Sequence, residues 1–229
     1  MTNKITPPKK TKGDYVYDIA KAVAGTVPMA GSLLAGFIET IVIPPYQKKN
    51  EEYMSAVVDC IEELKLKVEN FNIDDLKNNT KFQDAMLITA KAAMATSSEI
   101  KRQSLLNALQ NIALNKTPDQ ITTAIFLHFI DRFNEAHIQI CCVLDSPNNY
   151  RAKKSDYETK ETYRELINKI LPKLGKPQIN IIVRELHDNE LISINIDRID
   201  YRPPIFKEAE SCVTPFGKEF IAFINKPSI

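Results

Sequence analysis

The sequence predicts a mainly α fold: an N-terminal helical bundle built around a buried central helix, plus a small C-terminal α+β domain. Three observations carry that expectation. Apolar residues recur at intervals of three and four between Pro45 and Asp145, the period of helices with one buried face. One stretch, 117–145, is apolar on nearly all sides, as a helix enclosed by others is. Finally, Leu191-Ile192-Ser193-Ile194-Asn195-Ile196 alternates like a strand. A chain of 229 residues can bury a large core without metal or disulfide staples. Six glycines argue against a glycine-rich nucleotide fold, a collagen-like chain or a turn-dense β-sandwich. With 30 Lys and Arg against 29 Asp and Glu, the net charge of +1 gives no simple reason to expect a polyanion partner.

Residues 1–13 read as a flexible basic arm, with Lys4, Lys9, Lys10 and Lys12 beside Pro7 and Pro8. A helical stretch follows over Asp14–Val23. The run Ala22–Ile38, AVAGTVPMAGSLLAGFI, then carries no charge over 17 residues, and after Glu39 the apolar Ile41-Val42-Ile43 leads to Pro44-Pro45. Asp14 and Asp18 stand where a secretory signal needs cations. Gly25 and Pro28 interrupt a run already short of the roughly 20 apolar residues that a membrane-spanning helix needs. What remains is an apolar hairpin over 22–43, with Ala30, Gly31, Ala35 and Gly36 allowing close packing. It is either ordinary core or a conditional segment, packed away in one state and placed on a bilayer or partner in another. On the second reading its contact residues are Val27, Met29, Leu33, Leu34, Phe37, Ile38 and Ile41. The basic arm suits an anionic surface, where each Lys contributes about 1 kcal/mol.

Residues 14–146 are expected to form the bundle. Pro45 suits the first position of a helix to about Asn70, striped by Tyr46, Lys49, Tyr53, Val57, Cys60, Ile61, Leu64 and Val68. Asn72–Asn79 reads as a turn, and a helix over Lys81–Thr96 buries Phe82, Ala85, Met86, Thr89 and Ala93. Ser97-Ser98 caps a helix over Glu99–Asn115. Thr117-Pro118-Asp119-Gln120 starts the next, with Thr117 as cap and Pro118 at the first position. It runs unbroken to about Asp145 and is the expected central helix. Its charges Asp131, Arg132 and Glu135, flanked by His128 and His137, fit a solvated edge or an Arg132–Glu135 pair one turn apart.

Cys60, Cys141, Cys142 and Cys212 lack any framework spacing and read as buried, reduced thiols of a cytoplasmic protein. No metal site is expected, since His137 one turn before Cys141 offers two ligands and no more. Phosphate loop, nucleophile elbow, HExxH and paired-carboxylate motifs do not occur. No catalytic residue, cofactor or small-molecule substrate is therefore expected, and the chain is read as a non-enzyme.

Ser146-Pro147-Asn148-Asn149 and the basic Arg151–Lys154 mark a linker over 147–156. Beyond it, over 157–229, Ser155-x-x-Glu158 opens a helix to Leu174, and Lys176-Pro177 starts another over Gln178–His187. The alternating strand and a Pro-rich excursion through Arg202-Pro203-Pro204 come next. Val213–Ile224, VTPFGKEFIAFI, then closes the chain with a capped helix. With VRELHDNELI (Val183–Ile192), this order resembles a winged helix, whose wing is framed by similar phrases. Asn189-Glu190 stands where that pattern has glycine. As a DNA reader it would use Gln178, Asn180 and Arg184. Residues 151–229, however, hold 14 Lys and Arg against 12 Asp and Glu, a thin surplus for phosphate contacts. Protein contact is the preferred use.

Taken whole, VPMAGSLLAGFIETIVIPP, LLNALQNIALN (Leu105–Asn115) and TPFGKEFIAFI resemble an uncharacterised bacterial family associated with antiphage defence. That resemblance implies a helical fold and a role as defence effector or accessory subunit, and the head has a fold-level analogy with membrane-permeabilising bundles. The expected function is non-enzymatic: the apolar N-terminal helices engage a protein partner, a second copy or, conditionally, a membrane. The chain is then cytoplasmic, or peripheral at the inner membrane. A winged-helix transcription regulator and a scaffold subunit of a larger complex are the alternatives.

Overall fold

A computed structural model describes residues 47–150, 161–201 and 211–228. The basic arm, the apolar hairpin 22–43 and residues 151–156 of the linker lie outside them. The described residues are mainly helical.

Helix α1 (Gln47–Lys67) buries Tyr53, Val57, Cys60, Ile61 and Leu64 of the expected stripe, and Val68, half-buried, follows its end. Beyond its end, Asn70 takes a left-handed conformation at φ 63°. The expected turn over 72–79 holds a short helix, α2 (Ile73–Lys77), capped by Asn72. Asn79 then caps α3 (Thr80–Ala95) by accepting the Phe82 N–H at 3.0 Å. Ser98 caps α4 (Glu99–Ala113) as expected. Past α4, Asn115 at φ 54° lets Asn115 N–H reach Ile112 O and Lys116 N–H reach Asn111 O. That paired closure satisfies carbonyls the helix end would otherwise orphan.

The expected long helix over 117–145 is two helices, α5 (Gln120–Arg132) and α6 (Glu135–Asp145). Asn134 breaks it: its side-chain oxygen accepts the Ala136 and His137 N–H groups, while the His137 ring accepts the Asn134 N–H. Asparagine at a helix N-cap is stable enough to interrupt an otherwise continuous apolar pattern. Asp119, with two N–H bonds, caps α5 in place of Thr117.

The central helix is also not the one expected. α3 and α4 each touch both α1 and α5, and α4 further meets α6 and α9. So α4 is enclosed, burying Leu105, Ala108, Leu109 and Ile112 together with Lys101, Ser104, Asn107, Gln110 and Asn111. α5 buries one face only, and Ile121 on its other face is 74% exposed.

The tail adds α7 (Tyr163–Ile170), α8 (Lys176–Asp188) and α9 (Pro215–Ile224). A reciprocal Thr162–Glu165 capping box opens α7, which stops short of Leu174 because Leu171 precedes Pro172 and avoids helical angles. α8 ends on Glu190 at φ 59°. Glu190 N–H meets His187 O and Leu191 N–H meets Leu186 O, with both leucines fully buried. Glutamate thus occupies a left-handed position that glycine fills without strain.

Of the expected strand, one antiparallel bridge forms, Ile192 to Val213, and the described residues contain no strand. Ser193 N–H to Cys212 O and Thr214 N–H to Leu191 O flank the bridge. The chain then turns through 196–200, where Ile199 O accepts the Arg164 N–H and ends the pairing. The alternation of buried Ile192 and Ile194 with exposed Ser193 and Asn195 is real, but packing rather than a ladder imposes it. Gly217 sits where α9 starts against this bridge, and a Cβ there would lie 2.0 Å from Leu191 O.

One apolar core runs from Tyr53 in α1 to Ile224 in α9. At its centre Phe126 of α5 meets Phe216, Phe220 and Phe223 of α9, with ring centroids 5.0, 5.4 and 5.6 Å away. Phe129 and Phe133 extend that aromatic seam toward α6.

Candidate functional site

The arrangement α1–α3–α4–α5 leaves one side of α5 without a described neighbour. Its inner face presents Thr123, Phe126, Leu127, Phe129 and Ile130 to the core. One hundred degrees per residue places Ile121, Ala124, Ile125 and His128 on the opposite face, where all four are exposed. With Gln120 they line an open hollow of about 570 Å³ that no Asp, Glu, Lys or Arg side chain lines. Single exposed apolar residues are ordinary; here the exposed side chains stand contiguous along two turns.

The polar groups next to α5 are engaged internally. Lys101 on α4 is buried and donates to Asp131 O at 2.9 Å, placing a cation at the C-terminal end of α5. Burial holds its ammonium below the usual lysine range, against the opposing pull of Asp131. Arg132 lies 5.4 Å over the Phe133 ring, while Glu135 accepts from Gln139, so the expected Arg132–Glu135 pair is replaced by separate local contacts. His137 is buried, stacked on Phe133 at 4.7 Å, with Nε2 2.6 Å from Glu185 of α8. Desolvation lowers its pKa, and Glu185 opposes that only in part. In the neutral form Nε2–H donates to Glu185 and pins α8 to α6. The sequence offered no sign of this pair, whose members are 48 residues apart.

Burial dominates the thiols for which a shift is resolved. Burial pushes Cys60 up to about 12 and raises Cys141 and Cys142 as well. Among the described residues no group of three or more His, Cys, Asp or Glu is placed to hold a metal ion. No described helix is long and apolar enough to cross a membrane.

Of the residues expected to read DNA, Gln178 and Arg184 are exposed on α8. Asn180 is not free for a base edge: its side-chain oxygen accepts from Arg164 Nη2 at 2.9 Å, and Arg164 Nε reaches Asp200 at 2.6 Å. That hydrogen bond holds the Asp200 carboxyl below its ordinary range. Between Gln178 and Arg184 the exposed face carries Ile181, 56% accessible, a side chain suited to protein rather than phosphate. The contact residues Val27, Met29, Leu33, Leu34, Phe37, Ile38 and Ile41, and the lysines Lys4, Lys9, Lys10 and Lys12, lie outside the described residues. The α5 outer face is hidden in the sequence because the apolar pattern of 117–145 is nearly continuous around the helix. The i, i+4 pair Ile121–Ile125 was the available signal.

Compared with protein-family models, curated proteins and solved structures, the chain matches none.

Proposed function

We propose that the protein is a non-enzymatic helical body that carries an apolar head, residues 22–43, to a protein partner or to an anionic membrane surface. The observation that carries this is the uncharged run Ala22–Ile38 preceded by an arm with Lys4, Lys9, Lys10 and Lys12. Charge is the least costly way to keep a segment in water, and 17 residues here forgo it. The raised thiols of Cys60, Cys141 and Cys142 support a role without covalent catalysis. In line with the family resemblance, the role is that of an effector or accessory subunit in antiphage defence, cytoplasmic until it is recruited. Flotation and dye release with anionic vesicles test the membrane form. Full-length protein is expected to float, and Leu34→Asp with Phe37→Asp to abolish flotation without lowering the melting temperature. Vesicles neither bound nor leaking at low salt would end it.

A second reading as a winged-helix DNA binder is favoured by one observation, the exposure of Gln178 and Arg184 on the same helix as exposed Lys176. It predicts a salt-sensitive duplex shift that weakens on Arg184→Ala, and no shift at low salt would exclude it.

A further inference from the structure

Ile121, Ile125, His128 and Arg132 follow one another at intervals of four, three and four residues. At 100° per residue they fall within about 60° of each other around α5, and all four are exposed. That is the spacing of a seam between two helices. We infer that α5 pairs with α5 of a second copy of this chain, antiparallel, across a two-fold axis between Ile125 and His128. This goes beyond the proposed role of the apolar head and does not depend on it.

The four positions are symmetric about a point midway between Ile125 and His128, so the stripe has the same spacing from either end. Reversed on itself, it sets Ile125 against His128 of the second copy, and Ile121 against the aliphatic stem of the second copy's Arg132. A two-fold contact requires this self-complementarity, residue i meeting j while j meets i. The open hollow along Ile121, Ala124 and Ile125, which no Asp, Glu, Lys or Arg side chain lines, receives the facing isoleucines.

Charge selects both the occupant and its direction. Asp119 caps one end of α5 and Arg132 closes the other, about 20 Å away. Arg132 lies over the Phe133 ring and has no ion pair among the described residues. Asp119 is exposed, and hydrogen bonds from Thr122 hold its carboxyl below the usual range. Its Oδ2 accepts from Thr122 Oγ1 and keeps capacity for a second donor. Antiparallel pairing places each Arg132 opposite Ile121, from where its guanidinium reaches Asp119 about 3 Å further along the axis. The two helix dipoles then also run in opposite directions. Parallel pairing would set Arg132 against Arg132 and Asp119 against Asp119. Asp131, at the edge of the stripe, has the Lys101 ammonium bonded to its backbone oxygen, which offsets its charge. A stripe about 20 Å long on a helix about 10 Å across buries less than the roughly 1,200 Å² of a standard stable interface. The dimer is therefore of the weak, transient class, half-formed on the order of 100 µM.

Sedimentation velocity of the full chain from about 10 to about 500 µM tests this, spanning the expected midpoint. A monomer–dimer equilibrium is expected, and Ile121→Asp with Ile125→Asp, which alters only exposed side chains, should leave monomer alone with an unchanged circular dichroism spectrum. Asp119→Asn keeps a good helix cap while removing the charge. It and Arg132→Gln should each raise the dissociation constant about threefold, as for two exposed ion pairs. Together they should raise it by about the same factor, not ninefold, because both remove one interaction. A benzophenone amino acid at position 121 is expected to crosslink to residues 128–132 of a second copy, at a yield that rises with protein concentration. The same probe at position 66, where Leu66 is 84% exposed on α1, is expected not to reach them. Monomer throughout the range would overturn the proposal. So would a dimer that survives Ile121→Asp with Ile125→Asp, since another surface would then be making it. Additive effects of Asp119→Asn and Arg132→Gln, crosslinks from 121 to 121, or crosslinks confined to one molecule would overturn it equally.

Discussion

Helices α4 and α5 lie side by side and are buried in the opposite order to their hydropathy. α4 carries Lys101, Ser104, Asn107, Gln110 and Asn111, and all five are buried. α5 is the more apolar of the two and leaves Ile121 and Ile125 in water. Neighbours on all sides enclose a helix, and polar side chains survive enclosure when they find partners. Asn107 Nδ2 donates to Ile224 O at 2.9 Å, and Asn111 Nδ2 to Phe223 O and Asn225 O at 3.0 and 2.9 Å. The Phe223 and Ile224 carbonyls belong to the last turn of α9 and the Asn225 carbonyl to its C-cap, where intrahelical donors run out. The polar helix is central because it closes the end of another.

Substitutions on the two helices separate these contributions. Phe126→Ala, on the inner face of α5 among three phenylalanines of α9, is expected to cost about 3–5 kcal/mol in denaturant unfolding. A loss below about 1 kcal/mol would mean that the aromatic seam contributes little. Asn111→Ala removes the side-chain donor from the buried Phe223 carbonyl of α9 and is expected to cost about 2 kcal/mol. An Asn107→Ala, Asn111→Ala double variant should be subadditive, since both clamp the same turn.

How much of this the sequence disclosed depends on how far the deciding partner lies. The α1 stripe Tyr53–Val57–Ile61–Leu64 was legible because one periodic face decides it locally. Ser98 and Thr214 were legible as caps for the same reason, each accepting an N–H three residues on. The position of α4 was not, because the bond from Asn107 crosses 117 residues to Ile224. Asn134 was hidden by apolar neighbours on both sides that continue a helical pattern through it. At the candidate sites, Gln178 and Arg184 lie on the exposed side of α8, whereas Asn180 is claimed by Arg164, 16 residues earlier.

Glu190 offers a change in the opposite direction. Its positive φ costs a β-carbon-bearing residue about 1–2 kcal/mol, so Glu190→Gly is expected to raise stability by about 1 kcal/mol less the added freedom of the unfolded chain. A drop on thermal melting would show that the Glu190 side chain is needed where it stands. Smaller again is the effect of pH through His137. Its folded pKa lies below the unfolded 6.5, so the unfolded chain binds more protons. The stability it contributes is complete above about pH 6.5 and is lost as pH falls through the folded value. His137→Gln should flatten that part of the profile, read from unfolding midpoints between about pH 7 and 5. The groups that act on the imidazole are Glu185, Arg132 and Lys101. The smallest effect belongs to the outer face: Ile121→Asp is expected to change stability by no more than about 0.5 kcal/mol, against the severe loss at Phe126 on the same helix.

Native-state hydrogen exchange resolved over α4 and α5 is the most direct measurement. Amides of Leu105–Ile112 are expected to exchange only through global unfolding, and those of Ile121, Ala124 and Ile125 through openings of lower free energy. Slower exchange in α5 than in α4 would restore the apolar helix to the centre and contradict the account.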